Sequence, residues 1–118
     1  MMNNGSKNTD KLLSTLGLCV KAGKVIFGVP MVCEAMRKGG KNAPVLVLEA
    51  ADTSDNTHKK ISDKCNYYNT KHIRLHIGGE QLAAALGKSA QLGAVAVTDE
   101  GLGDLVEKSI RVISDNNI

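Results

Sequence analysis

A chain of 118 residues with 42% apolar and 23% charged side chains has the size and composition of one soluble globular domain, and excludes both a disordered chain and a multidomain one. The formal charge of +3 is compatible with a nucleic-acid partner without demanding one. With no Trp, one Phe and two Tyr, the chain lacks the aromatic platforms on which single-stranded bases stack.

The first nine residues, "MMNNGSKNT", are polar and without period, and read as a disordered tail over 1–9. From Asp10 the apolar residues Leu12, Leu13, Leu16, Cys19 and Val20 recur at three and four. That spacing predicts a first helix stopped by Gly23. "KVIF" predicts a short strand and Gly28 a turn. A second helix follows, with Val29, Val32, Cys33 and Met36 on one face and Pro30 tolerated in its first turn. Arg37, Lys38, Gly39 and Gly40 close it, as cations and glycines do at helix C-termini.

"PVLVLEA" is a nearly continuous apolar run, the mark of a central strand covered on both faces. The capping residues of "DTSDNT" then open a third helix, from about Asp55 to Tyr68, whose apolar positions are Thr57, Ile61, Cys65 and Tyr68. In "HIRLHI" alternation is strict, predicting a strand with His72, Arg74 and His76 on a polar outer face. A short helix over Glu80 to Leu86, a loop "GKSAQL", a buried strand "GAVAV", and a last helix bearing Leu102, Leu105, Val106 and Ile110 complete the order. Thr98 and Asp99 cap that helix, and "SDNNI" reads as a frayed end over 114–118.

Five helices thus alternate with four strands in one domain over 10–113. The expected architecture is a three-layer α/β/α sandwich whose sheet is at least partly parallel. Ligands of such sheets gather at loops at one end.

Candidate chemistry is sparse. "GKS" at Gly87 to Ser89 is not a phosphate-binding loop, because Leu82 stands where the motif needs glycine and a helix precedes it. No dinucleotide fingerprint follows the first strand. The three cysteines, Cys19, Cys33 and Cys65, lie far apart and among apolar residues, as buried free thiols in a reducing compartment would. No Cys/His ligand spacing calls for zinc, and neither a metal nor a cofactor is expected. His58, His72 and His76 form no recognisable triad in sequence, and their simplest reading is a place in the polar opening of a helix for His58 and on the outer face of a strand for His72 and His76. Without an apolar segment of membrane length or a signal sequence, the expected setting is the cytoplasm. Lys59, Lys60 and Lys64, with Arg37, Lys38, Lys41 and Lys88, would make a phosphate-binding surface if the fold put them on one rim.

Three segments together carry a resemblance: "GLCVKAGKVIFG", "AMRKGGKNAPVLVLEAADTSDNTHKKISDKCNYYN" and "LGKSAQLGAVAVTDEG". They resemble the kink-turn-binding ribosomal proteins, the group of large-subunit proteins seven-Ae and thirty-e, and most closely its small bacterial YlxQ-type branch. The resemblance spans Asp10 to Glu107. It implies a thirty-e-like α/β/α sandwich with a mixed four-stranded sheet and a non-catalytic, ribosome-associated role in binding structured RNA of the kink-turn type, ribosomal RNA included. Membrane and DNA are not implied partners.

Carried over by position, the implied RNA-binding residues are Gly28, Val29, Pro30, Met31, Glu34 and Lys38 of the second helix, with Lys88, Ser89, Ala90 and Gln91 of the late loop. The sequence departs from the family here. Archetypal members place Thr, Asn and Glu after the glycine, followed three residues later by Lys, whereas this chain has Val29, Pro30, Met31 and then Glu34. The exchange removes base-edge partners, each worth about 1–3 kcal/mol, so weakened or altered recognition is expected. The alternative is a protein-interaction module on the same scaffold that has lost RNA binding and docks through Val29, Pro30 and Met31.

Overall fold

The computed structural model describes residues 4–116, with side chains from residue 9 to residue 110. Helix α1 spans Asn4–Lys21, strand β1 Val25–Phe27, α2 Val29–Lys38, β2 Leu46–Glu49, α3 Asp55–Tyr67, β3 Lys71–Arg74, α4 Gly79–Ala85, β4 Ala94–Val97 and α5 Glu100–Asn116. The sheet runs in the order β1-β4-β2-β3. β4 lies antiparallel to β1 and β2, while β2 and β3 are parallel, so the sheet is mixed.

Alternation along the two central strands divides the core. Leu46, Leu48, Val95 and Val97 face a cluster built with α1, α4 and α5, through Leu12, Leu16, Cys19, Leu82 and Val106. Val47, Ala94 and Ala96 face the other way, against Val32, Cys33 and Met36 of α2 and Ile61 and Cys65 of α3. The result is the α/β/α sandwich, with α2 and α3 alone on one face. All three cysteines are free and buried.

The helix ends follow their capping chemistry. Gly23, at φ 71, donates to Val20 O while Lys24 N donates to Cys19 O, the paired bonds that close a helix on a left-handed glycine. Ser54 Oγ accepts from Thr57 N at 3.1 Å, and Asp99 Oδ2 from Leu102 N at 2.9 Å.

Several of the expected boundaries and faces differ in the fold. Helix α1 extends back to Asn4, where a disordered tail over 1–9 is the sequence reading; once a packed helix exists, each further residue adds a bond without a new nucleation cost. Residues 1–3 lie outside the described residues. At the other end α5 runs to Asn116, into the 114–118 stretch read as frayed, and residues 117–118 lie outside the described residues. Strand β3 stops at Arg74, because its parallel partner β2 stops at Glu49, opposite it. Leu75 and Ile77 are still buried as the alternation predicts. Finally, Leu105 is exposed, because small Gly103 and Ser109 share the buried face of α5 with Val106.

Candidate functional site

The turn from β1 into α2 is held from below. Phe27 pairs with Val95, and Gly28 N donates to Ala94 O at 2.9 Å. Gly28 has φ 90 and ψ 147, a backbone region in which a side chain is strained and glycine is not. Val32 N then donates to Gly28 O at 2.9 Å, which starts the helix. No side chain caps it. Pro30 contributes no N–H, so the first-turn amides of Val29 and Met31 stand at the positive end of the helix dipole. Met31 is 61% exposed beside them.

The loop before β4 comes to the same place. Gly87, at φ 75, turns the chain out of α4, and Lys88, Ser89, Ala90 and Gln91 are all exposed. Leu92 is buried, with its N–H donating to Gly79 O, and Ala50 N donates to Gly93 O at 2.8 Å. A Cβ placed on Gly93 would lie 3.0 Å from Val29 Cγ2 and 3.6 Å from Thr53 Cγ2. Lys88 Nζ sits 4.2 Å from the centroid of the Phe27 ring, a cation–π contact that puts its charge beside the β1–α2 turn.

Of the residues singled out in the sequence, the fold therefore gathers Gly28, Val29, Pro30 and Met31 with the loop of Lys88, Ser89, Ala90 and Gln91. Thr53 joins them from the β2–α3 connection. Lys38 is not among them, since the nine steps from Val29 cover about 14 Å along the helix. Glu34 lies one turn in and is engaged by Arg37, with Nε at 2.9 Å from Oε1. Those hydrogen bonds hold the Glu34 carboxyl below its ordinary range. Its charge is thus directed along α2 and balanced there. The basic groups do not share one rim: Lys38 and Lys41 lie at the C-terminal end of α2, Lys88 at its N-terminal end, and Lys59 pairs with Asp63 at 2.8 Å.

Beneath Thr53 is a polar cluster that the sequence reading missed. Glu49 is fully buried. Its Oε1 accepts from His58 Nδ1 and His72 Nε2, both at 2.8 Å. Its Oε2 accepts from the Thr53 hydroxyl and lies 3.6 Å from Arg74 Nε. Burial pushes the carboxyl up, but the hydrogen bonds from Thr53, His58 and His72 outweigh it and leave Glu49 below its ordinary pKa. Arg74 also donates from Nη2 to the Thr53 carbonyl and hydroxyl, each at 3.1 Å. The cluster thereby fixes the loop that meets Val29 and Gly93.

His72 and Arg74 are consequently not on an outer strand face. They face the α3 side of the sheet, where His72 is only 17% exposed and Arg74, itself exposed, reaches Thr53 and Glu49. His76, beyond the strand, is exposed and meets Thr9 Oγ1 at 2.6 Å. The available signal was a lone carboxylate closing "PVLVLEA", a strand covered on both faces, next to a strand with one polar face.

Comparison with known proteins decides the lineage: the ribosomal protein L7Ae/L30e/S12e/Gadd45 family matches residues 10–107. The chain belongs to that family. Within it, the chain falls in the bacterial YlxQ branch. It is 38% identical over 89 residues to the RNA-binding protein YlxQ of Bacillus subtilis, covering 75% of this chain and 84% of that protein. Similarity to the large ribosomal subunit protein eL30 of Eremothecium gossypii is 27% over 101 residues, 86% of this chain and 93% of that one. Among solved structures, a protein of unknown function from Bacillus halodurans superposes with TM-score 0.76 at 29% identity, covering 86% of this chain and 97% of the other. The 15.5kD RNA-binding protein of Giardia lamblia superposes with TM-score 0.69 over 98% of this chain and 93% of its own. At 15% identity that likeness speaks for the L7Ae/L30e fold alone. Among the described residues, no helix is long and apolar enough to cross a membrane.

Proposed function

We propose that this L7Ae/L30e-family protein binds structured RNA, without catalysis, through the N-terminus of α2 and the loop of Lys88 to Gln91. RNA-binding relatives of the YlxQ branch support the reading. The observation that carries it is the packing of Gly93 against Val29, which joins an uncapped helix N-terminus, a natural phosphate seat, to an exposed loop carrying a cation. Bent RNA offers the distorted phosphates and splayed bases that such a surface can reach, whereas a regular A-form duplex does not. The RNA type argued from the family is the kink-turn, in ribosomal RNA or another cytoplasmic RNA.

Recognition differs from that of archetypal members because Val29, Pro30 and Met31 offer no side-chain hydrogen bond to a base edge. Backbone amides, the Lys88 charge and apolar contact from Met31 remain. Glu34 repels less than its position implies, because Arg37 neutralises it. No nucleophile is activated in the Glu49 cluster, where the Thr53 hydroxyl donates to the carboxylate rather than to a histidine.

Anisotropy titrations of a labelled kink-turn RNA test the assignment. Lys88→Ala is expected to weaken binding severalfold and to reduce the salt dependence by about one phosphate contact. Gly93→Leu, which pushes Val29 aside, is expected to weaken it more while the fold persists by circular dichroism. If neither change alters affinity, RNA is held elsewhere. Affinity for a protein partner through Met31, insensitive to salt, would favour the docking module instead.

A further inference from the structure

The carboxylate of Glu49 is met by two imidazoles. Oε1 faces only imidazole nitrogen, His58 Nδ1 and His72 Nε2, while Oε2 accepts from the Thr53 hydroxyl, faces Arg74 and lies 3.0 Å from the same His58 Nδ1. Three elements supply these groups: the last residue of β2, the first turn of α3 and the middle of β3. One donor atom from each of Glu49, His58 and His72 lies within 4.8 Å of the others.

We propose that Glu49, His58 and His72 form a binding site for one divalent cation of borderline softness, Zn2+ foremost, beneath the Thr53 loop that borders the RNA surface. Two imidazoles and a carboxylate suit Zn2+, Ni2+ or Co2+, and two nitrogens in the set reject Mg2+ and Ca2+, which take oxygen. Ligand atoms about 2.0–2.2 Å from Zn2+ lie roughly 3.3 Å from one another. The present N···O separations of 2.8 Å need to open by about 0.5 Å, and the two nitrogens, within 4.8 Å of each other, need to reach the same spacing, both by a rotamer adjustment of His58, whose side chain is 40% exposed. That exposure also supplies the entry path and a fourth position for water.

The proton balance is simple. Each ring nitrogen now donating to Oε1 gives up its proton, either to its own second ring nitrogen or, from an imidazolium, to bulk water. The ion then takes the two lone pairs and Oε1. Thr53 keeps Oε2, the outer hydrogen bond that orients a metal-bound carboxylate. Arg74, a cation 3.6 Å from Oε2, opposes the ion and limits its affinity. The absence of Cys/His ligand spacing in the sequence does not bear on this site, since its donors are 9 and 23 residues from Glu49.

Titration calorimetry of the chelator-treated full chain with ZnCl2 tests the proposal, with MgCl2 as control and thermal unfolding as second readout. One saturable equivalent of Zn2+ is expected, with a raised melting temperature, as for any ligand that binds only the native state. His58→Ala and His72→Ala should each weaken binding more than about tenfold, and Thr53→Val about tenfold. His58→Ala keeps the test open should loss of His72 disturb the fold, because His58 is the more exposed. Absence of saturable Zn2+ binding, binding unchanged in both histidine variants, or an equal response to Mg2+ would overturn the site.

Discussion

Glu49 keeps a charge at the end of a strand whose other residues are buried hydrocarbon. A buried carboxylate is costly unless its lone pairs are met, and here Thr53, His58, His72 and Arg74 meet them. Glu49→Gln retains the shape but brings an NH2 against one of these donors and removes the charge. Because His58 and Arg74 can turn toward water, we expect a loss of about 2 kcal/mol, read as a lower urea midpoint with unchanged slope. Cys65 behaves oppositely. Burial first, then the nearby Cys33 and Glu49, push its thiol up to about 11. A folded-state pKa above the unfolded one, about 8.5 for cysteine, adds stability that is present below the unfolded value and lost as pH rises toward the folded value. The unfolding midpoint should therefore fall between about pH 8.5 and about 11, and fall less in Cys65→Val. Native Cys65 should also resist alkylation at neutral pH, reacting only on unfolding.

At the scale of elements, caps decide boundaries and close approaches decide where the loops sit. Ser54→Ala removes the bond to Thr57 N and is expected to cost about 1 kcal/mol of stability. Gly79 opens α4 directly against the loop before β4: a Cβ there would lie 2.5 Å from Leu92 O and 2.8 Å from Gln91 Cγ. Gly79→Ala should then cost about 1–3 kcal/mol and displace Gln91 and Leu92, visible as shifted amide resonances over that loop. Much of this level was legible beforehand. The period of α2, the capping run "DTSDNT" before α3, the stop at Gly23 and the buried "VLVL" and "AVAV" strands are local features, and the chain obeys them. The length of β3 was not, because it depends on where β2 ends. Nor was the pairing of Glu49 with two histidines, since parallel register sets Val47 beside His72 and Glu49 beside Arg74, and no local pattern reports register between strands. For the same reason the lysines could not be assigned to one rim or two.

Over the whole molecule, the mixed sheet brings the end of β1, the end of β2 and the start of β4 to one edge. There α2 begins, and Val29, Thr53 and Gly93 touch. The Gly28 turn and the late loop were placed together through family resemblance, and their meeting in the fold gives that pairing a physical basis: Gly93 leaves room for Val29, and Phe27 receives Lys88. Lys38 belongs to the opposite end of α2. Under the proposed function, such a surface would grip the phosphates of a bend and read few base edges. Its discrimination should therefore rest on RNA shape and amount to roughly tenfold, the low end of what side-chain readers of bases provide. The most direct test is a gel-shift titration of a kink-turn duplex against a copy lacking its tandem G·A pairs, repeated at rising salt. Roughly tenfold preference for the intact bend and affinity that declines steeply with salt are expected; equal affinity for the two duplexes, or no saturable binding to either, would rule out recognition of the bend by this surface.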